Sequence, residues 1–175
     1  MRILHGIDPV FDRNSTVLVL GSFPSVRSRE EGFFYGNPQN RFWKVLAGIL
    51  ECPVPDTVDA KKQMLLGRGI ALWDVIASCE ISGSSDASIR NAVPNDLSGI
   101  FAAAEIRAVA VNGSKAEQLY RRYLFPVVRI LPIALPSTSP ANASWSLGRL
   151  QEAWSAILPF VEGQPASGAG SRIAD

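Results

Sequence analysis

Thr16-Val17-Leu18-Val19-Leu20-Gly21 is a short run of β-branched and apolar residues that ends in glycine. A run of this length without a polar position is typical of a strand that is buried on both faces of a sheet. Three further runs have the same character, and we predict that they are strands too. They lie at residues 69–73, 107–111 and 127–131.

Segments with helical periodicity lie around these runs, at residues 41–50, 58–66, 97–104, 115–124 and 146–158. Strands that alternate with helices form a mainly parallel sheet with helices on both faces. The sequence therefore predicts an α/β protein with a three-layer α/β/α fold around a central, mainly parallel four-stranded sheet. We expect a single domain over residues 1–162 and a disordered tail, rich in Gly, Ala and Ser, over residues 163–175.

The composition narrows the classes of function. Of the 175 residues 47% are hydrophobic, and the formal net charge is only +1. A strongly basic nucleic-acid binder carries more positive charge, so any contact with nucleic acid has to depend on a local patch. Cys52 and Cys79 are too few and too isolated for a four-thiolate iron–sulfur or zinc site. We therefore expect no metal and no other cofactor.

The sequence shows no targeting or membrane-spanning segment. Residues 1–10 are short and mixed, with no long apolar run behind them, and no stretch approaches the length of a membrane span. We therefore expect a cytoplasmic protein whose cysteines are reduced and buried. We also expect a monomer, although the sequence carries no firm signal of oligomeric state.

Ligands of an open parallel sheet bind beyond the carboxyl ends of its strands. Four segments rich in small polar residues are predicted to meet there, namely residues 21–25, 74–78, 112–114 and 132–142. His5, the only histidine, precedes the first predicted strand and is expected to lie away from this site. A Ser-His-Asp hydrolase and a zinc deaminase are therefore not favoured.

Two motifs resemble those of a known family. The first is Gly21-Ser22-Phe23-Pro24-Ser25, followed by Phe33-Phe34-Tyr35-Gly36-Asn37-Pro38-Gln39-Asn40-Arg41-Phe42-Trp43. The second is Leu135-Pro136-Ser137-Thr138-Ser139-Pro140-Ala141-Asn142. Together they resemble the uracil-DNA glycosylase superfamily, and most closely its hypoxanthine-DNA glycosylase branch, which is related to the mismatch-specific G:T/U glycosylases. The resemblance covers nearly the whole predicted domain.

The resemblance implies that an asparagine positions the attacking water. The first motif of the family usually has Asp or Asn for this purpose at its third position, where this chain has Phe23. In the hypoxanthine branch the polar role moves to an asparagine of the string Asn37-Pro38-Gln39-Asn40. We favour Asn40 as catalytic, because it directly precedes the predicted helix, and keep Asn37 as the alternative. Asn40 could also serve only as a helix N-cap.

The resemblance also assigns residues to the flipped base. Tyr35 matches the aromatic residue that stacks on the base, and Asp74 matches a base-reading position of the uracil enzymes. An ionised carboxylate only accepts hydrogen bonds, so it would select uracil and hypoxanthine, whose ring N–H adenine and cytosine lack. Asp74 could instead cap the turn that follows it, and Asp86 is a weaker second candidate. The remaining residues that we assign to substrate binding are Phe23, Asn112 and Ser137.

Contacts with DNA are assigned from the same motifs. The stretch from Ser137 to Pro140 resembles the second family motif, which binds the phosphates beside the extruded nucleotide. Ala141 and Asn142 then fall where a wedge would fill the gap in the base stack. The DNA-binding candidates are Ser22, Ser25, Arg41, Ser137, Thr138, Ser139, Ala141 and Asn142, and further cations that could contact phosphates are Arg27, Arg29, Lys44, Lys115, Arg121 and Arg122.

The sequence thus predicts a monofunctional glycosylase of base-excision repair that acts on DNA containing deaminated bases. It would hydrolyse the N-glycosidic bond of flipped hypoxanthine or uracil with an asparagine-positioned water. Two alternatives stay open. One is a mismatch-specific uracil or thymine glycosylase. The other is a catalytically inactive DNA-binding member of the fold, because Phe23 replaces the usual polar residue.

Overall fold

A computed structural model describes residues 1–163 of the chain. The strands in this range are β1 (Arg2–Leu4), β2 (Val17–Gly21), β3 (Ile70–Asp74), β4 (Ile76–Glu80), β5 (Arg90–Pro94), β6 (Ala108–Asn112) and β7 (Pro132–Leu135). The α-helices are α1 (Val26–Glu31), α2 (Phe42–Leu50), α3 (Val58–Gly67), α4 (Ser98–Ala103), α5 (Ser114–Leu119), α6 (Phe125–Val128) and α7 (Leu147–Trp154). In the part of the chain that is described, no helix is both long and apolar enough to cross a membrane. Apart from Gly163, the predicted tail lies outside the described residues.

The centre of the fold is a four-stranded sheet in the order β3-β2-β6-β7. All three pairs of neighbouring strands are parallel. β2 lies between β3 and β6, and all five of its residues are buried, as its unbroken apolar sequence requires. The predicted three-layer α/β/α architecture is confirmed.

Alternate residues of β2 point into two separate hydrophobic cores. Val17 and Val19 belong to the core that contains residues of α2 and α7. Leu18 and Leu20 belong to the core that contains residues of α4 and α5. Burial of one such side chain stabilises the fold by about 1.5–3 kcal/mol, so this strand is anchored strongly from both faces. The sheet is therefore a rigid base for the loops that leave its carboxyl edge.

The predicted strand at residues 127–131 is wrong. Phe125–Val128 forms helix α6, with a proline in its first turn, and Arg129 ends the helix in the left-handed conformation with φ 65°. Val127 and Leu131 are 80% and 68% exposed, so neither is a core residue of a sheet. The fourth strand is β7, which lies at the edge of the sheet. Proline is tolerated as the first residue of an edge strand because its missing N–H is not needed there.

A second, three-stranded antiparallel sheet in the order β1-β4-β5 was not predicted from the sequence. β1 has only three residues, and most of β5 is exposed, so neither has the apolar pattern of a buried strand. β4 begins two residues after β3 ends, and the intervening Val75 N–H donates to Gly21 O at 2.8 Å. The N-terminal segment pairs with β4, which brings residues 2–5 close to the end of β3.

Candidate active site

An open cleft of about 1610 Å³ lies at the carboxyl ends of β2, β3, β6 and β7. Three of the four segments that were predicted to meet there line the cleft over most of their length, namely residues 21–25, 112–114 and 132–142. Of the segment at residues 74–78 only Asp74 lines the cleft, because the chain continues from it into β4. The loop between α1 and α2 adds Tyr35, Asn37 and Asn40 to the lining.

The Tyr35 ring is held in place from one side. It stacks on Phe42, with ring centroids 4.0 Å apart and an interplanar angle of 16°. One ring face is therefore covered, and only the opposite face is available to a flat ligand. The Tyr35 backbone has φ 53°, a left-handed conformation that costs a residue with a side chain about 1–2 kcal/mol. Burial, and then the charge of Asp74, raise the pKa of the phenol, so Tyr35 stays neutral.

A hydrogen-bond network connects Tyr35 with the loop after β7. Asn112, at the end of β6, donates through Nδ2 to the Tyr35 hydroxyl at 3.1 Å and to Thr138 Oγ1 at 3.0 Å. The Thr138 N–H donates back to Asn112 Oδ1 at 3.1 Å. The Thr138 hydroxyl then donates to Asn40 Oδ1 at 2.8 Å. Thr138 is completely buried, so it links parts of the protein and is out of reach of a phosphate in this conformation.

The predicted alternative role of Asn40 as the N-cap of α2 is wrong: the N-cap is Arg41, whose side chain forms no capping bond, and Asn40 lies one residue ahead of it. The Asn40 Oδ1 accepts from the Phe42 N–H at 2.9 Å as well as from Thr138. Since an amide oxygen has two lone pairs, both acceptor positions are taken. The backbone donor also fixes the orientation of the amide. Within residues 1–163 the Asn40 Nδ2 group has no hydrogen-bond partner, and the residue lines the cleft.

Asn37 lies in the same tight turn, since its backbone carbonyl accepts from the Asn40 N–H at 2.9 Å. Its side-chain oxygen accepts from the Gln39 N–H at 2.9 Å. One acceptor position on this oxygen is therefore still open. The two asparagines are complementary: Asn37 can accept one more hydrogen bond, whereas Asn40 can donate two.

Asp74 forms part of the floor of the cleft and is only 3% exposed. Gly21, at the end of the neighbouring strand, allows its carboxylate to approach. A Cβ at position 21 would lie 2.7 Å from the Tyr35 hydroxyl and closer still to Asp74 Oδ1. Oδ1 and the Tyr35 hydroxyl therefore converge over the one residue of β2 that has no side chain.

His5 does not lie away from the site, as was expected from its position in the sequence. Its Nε2 is 2.7 Å from Asp74 Oδ2, and both residues are buried. The expectation was wrong because the pairing of β1 with β4 was not foreseen. A lone histidine ahead of the first core strand gave no signal of this contact.

Asp86 and Ser22 form a second polar pair in the cleft. The Ser22 hydroxyl donates to Asp86 Oδ1 at 2.7 Å. Desolvation raises the pKa of Asp86, even though the residue as a whole is exposed, and the hydrogen bond from Ser22 counteracts this increase. The hydroxyl hydrogen of Ser22 is thus already donated to a carboxylate of the protein. Phe23 packs in the adjacent core and lines the cleft without offering a polar atom.

The loop over residues 137–142 is braced by its own hydrogen bonds. The Ser137 and Ser139 hydroxyls accept from the N–H groups of Ser139 and Ala141, both at 3.1 Å. Asn142 Nδ2 donates to the Ser137 carbonyl at 2.9 Å. The serine hydroxyls still have a hydrogen to donate, and Ala141 at the tip is exposed.

Arg41 fixes the same loop from the side of α2. Its guanidinium donates to the carbonyls of Trp145 and Asn142, the latter at 3.0 Å, and its backbone N–H donates to Thr138 O at 3.0 Å. These carbonyls engage both terminal nitrogens of the guanidinium and so leave fewer donors for a phosphate. The geometry favours a bracing role over the predicted DNA contact.

The other candidate cations differ in their surroundings. Arg27 and Arg121 pair with glutamates one helical turn away, at 2.6 and 3.0 Å. Arg29 donates to the carbonyls of Ser25 and Gly83. Lys115 lines the cleft itself, whereas Arg122 lies beside a neighbouring groove. Lys44 is exposed on α2, and Ser25 accepts from the Ser28 N–H as the N-cap of α1.

Comparisons with known proteins agree with this geometry. The model of the Uracil DNA glycosylase superfamily matches residues 9–158. A hypoxanthine DNA glycosylase of Methanosarcina acetivorans is 34% identical over 161 residues, which are 89% of this chain and 98% of that protein. A hypoxanthine DNA glycosylase of Methanosarcina barkeri is 32% identical over 114 residues, which are 64% of this chain and 72% of that protein. The solution NMR structure of a candidate uracil DNA glycosylase from M. acetivorans has a TM-score of 0.76 at 32% identity, covering 90% of this chain and 96% of that one.

A parallel sheet with this cleft at its carboxyl edge, and these relatives, define a DNA glycosylase of base-excision repair. The chain belongs to the uracil DNA glycosylase superfamily and, within it, to the hypoxanthine DNA glycosylase branch. The resemblance inferred from the two motifs is confirmed.

Gly21→Ala tests whether Asp74 and Tyr35 can approach each other only because residue 21 has no side chain. The added methyl group would collide with Asp74 and Tyr35, and such overpacking costs roughly 1–3 kcal/mol. We expect chemical denaturation to show this loss, together with a strong decrease in glycosylase rate. The matched control is Gly99→Ala in α4, where no atom lies within 4 Å of the added Cβ. It should be neutral or gain about 0.5–1 kcal/mol. A fully stable and active Gly21→Ala protein would contradict this description of the floor.

Salt titration separates a bracing arginine from a phosphate contact. Each neutralised phosphate adds about 0.9 to the slope of log affinity against log salt. We expect Arg41→Met to weaken DNA binding equally at all salt concentrations, because the loop loosens while no phosphate contact is lost. Lys115→Ala, which removes a cation of the cleft, should lower the slope by about 0.9. Fluorescence anisotropy measures both, and a lower slope for Arg41→Met would refute the bracing role.

Proposed function

We propose that this glycosylase removes deaminated bases, hypoxanthine or uracil, that are flipped out of DNA into the cleft. The observation that carries the proposal is the buried carboxylate of Asp74 on the cleft floor beside the ring of Tyr35. The names of the relatives, hypoxanthine DNA glycosylases, support the same class of substrate.

Base selection follows from the hydrogen-bonding capacity of Asp74. His5 occupies Oδ2, so Oδ1 is the atom that is left to face a ligand. Hypoxanthine and uracil carry a ring N–H beside a carbonyl and can donate to a carboxylate. Adenine and cytosine have a bare ring nitrogen there, and two facing acceptors repel. The uncovered face of Tyr35 would stack on the base, which is worth about 1–3 kcal/mol and tolerates either base.

The attacking water is assigned to the two asparagines together. Because both acceptor positions of Asn40 Oδ1 are taken, a water bound by Asn40 would accept a hydrogen bond from its Nδ2 group. The open acceptor position on Asn37 could then take one of the water hydrogens. A second lone pair of this water is left to attack C1′ of the sugar. In this arrangement Asn40 acts on the water as a donor and Asn37 as an acceptor.

The reaction needs little help from a general base. The bond between C1′ and the base nitrogen breaks, and the bonding electron pair leaves with the base. The sugar gains oxocarbenium character until the water oxygen bonds to C1′ and releases its proton to solvent. Such a dissociative step is accelerated mainly by preorganised dipoles. General-base catalysis, typically worth a hundredfold or more, is not available from Phe23.

The DNA backbone would be held by the loop after β7. Ser137 and Ser139 keep a hydroxyl hydrogen for phosphate oxygens while their own oxygens accept from the loop backbone. Ala141 and Asn142 lie at the tip, where a small wedge could enter the vacated stack. The expected monomeric state, the cytoplasmic location and the single domain stay predictions.

Asp74→Asn tests base selection. The amide oxygen would take the hydrogen bond from His5, which turns the NH₂ group toward the ring N–H of the base. A donor of the protein would then face a donor of the base, and no hydrogen bond could form between them. We expect kcat/KM on inosine-containing duplexes to fall about 100-fold, equivalent to about 2.7 kcal/mol. The assay includes duplexes with inosine, uracil, xanthine, a G:T mismatch or no lesion. Parent activity on G:T alone would favour the mismatch enzyme, and no activity on any duplex would favour a DNA-binding protein.

Asn40→Ser tests the catalytic role of the asparagine apart from its structural role. The serine hydroxyl can still accept from the Phe42 N–H, but it is too short to keep the bond from Thr138 as well, so the protein should lose about 0.5–1.5 kcal/mol of stability. We expect the single-turnover rate to fall at least ~100-fold while binding of lesion-containing DNA stays within a few fold. Asn37→Ser should have a milder effect, and Gln39→Ser, an exposed change in the same turn, should have none. An inactive Asn37→Ser with a fully active Asn40→Ser would exchange the two roles. If both serine variants are active, the assignment of the water is wrong.

A further inference from the structure

The buried partner of Asp74 has a defined hydrogen-bond geometry. The Ile7 N–H donates to His5 Nδ1 at 3.1 Å. Nδ1 is therefore an unprotonated acceptor, and the ring hydrogen of a neutral histidine must be on Nε2. Nε2 then donates to Asp74 Oδ2 at 2.7 Å. The geometry therefore makes Nε2 the donor and Asp74 Oδ2 the acceptor of this bond.

The surroundings of this pair keep water away. The His5 ring lies 6.0–6.1 Å, between ring centroids, from Phe23, Phe34 and Trp73. His5 is 5% exposed, so no water replaces it easily as the donor to Asp74. The backbone carbonyl of Asp74 is fixed separately, by Asn95 Nδ2 at 2.9 Å. The side-chain rotamer of Asp74 therefore depends on His5.

We propose that His5 is a positioning residue whose Nε2–H group holds Oδ2 of Asp74 and so turns its Oδ1 toward the flipped base. This inference rests on the proposed function of Asp74 as the base-reading acceptor. A hydrogen bond donated to a carboxylate stabilises its charged form, and an apolar environment without such a donor favours the protonated acid. A protonated Asp74 could offer a donor to a base nitrogen, so the same residue would lose its selectivity. His5 thus contributes to specificity without touching the substrate.

Other titratable groups of the cleft lie near Asp74 but do not replace His5 as its donor. Burial, and to a smaller extent the charge of Asp74, raise the pKa of Asp86. Burial and then the charge of Asp74 also raise the pKa of Tyr35, so the phenol stays neutral. Around His5 itself, the three aromatic rings bring no charge. The protein therefore has one direct donor for the buried Asp74 side chain, within the residues that are described.

The test compares His5→Leu, which fills the space without a donor, with His5→Gln, which keeps an N–H at about the same reach. For each variant the pH dependence of kcat/KM is measured on inosine-containing duplexes. We expect the acid limb of the His5→Leu profile to move about one pH unit or more toward alkaline pH. Activity would then be lower than that of the parent at acidic pH and recover as the pH rises. The profile of His5→Gln should be closer to that of the parent. In His5→Leu the preference for inosine over adenine should also become smaller at low pH.

Two controls make the outcomes distinct. In an Asp74→Asn background, His5→Leu should cause no further shift of the profile, because the titrating group is gone. Cys79→Ala, a buried change in β4 that does not line the cleft, should keep the parent profile. If the His5→Leu protein is folded, as judged by thermal denaturation, and its pH profile is unshifted, the positioning role is refuted. If the parent itself ignores inosine and uracil, or Asp74→Asn is fully active, the proposed function fails instead.

Discussion

Four hydrogen bonds join Tyr35, Asn112, Thr138 and Asn40, and they hold three distant segments of the chain around one cleft. Buried Thr138 is the centre of this network. Through it the loop after β7 is fixed to the start of α2, and through Asn112 both are fixed to the sheet. Each bond contributes only about 0.5–1.5 kcal/mol on its own, but a buried polar group without its partner costs more. The network is therefore stable only when all three segments are in place together.

This constraint also limits what the asparagines can do. Asn40 has given its oxygen to the helix and to Thr138, so the part of its amide that remains is a donor. Asn37 uses one acceptor position in its turn and keeps the other. A water between them would be oriented without any ionisable group. The chemistry then depends on fixed dipoles, which cost no reorganisation during the reaction.

The sequence predicted the parts of this protein that rest on continuous apolar runs. β2 is such a run, and its position between two cores follows from it directly. Residues 127–131 show the limit, because two valines look like a strand although Pro126 and the left-handed Arg129 make the segment a short helix. The motifs located the cleft, since strand ends meet at one edge. They could not show which amide atoms are already satisfied, nor that His5 reaches Asp74, because both depend on tertiary contacts.

The proposed base-reading role of Asp74 would favour selectivity over rate. An ionised acceptor at this position would select a base that carries a ring N–H, but that base would leave as an anion. Two like charges roughly 6 Å apart at an effective dielectric constant of about 20 repel by about 3 kcal/mol, equivalent to about a hundredfold in rate. Tyr35, whose phenol stays neutral, adds no further negative charge, and the Asn40 amide contributes an N–H dipole. The same reasoning accounts for Phe23: a carboxylate there would add a second negative charge beside the leaving base, whereas a phenyl ring adds none.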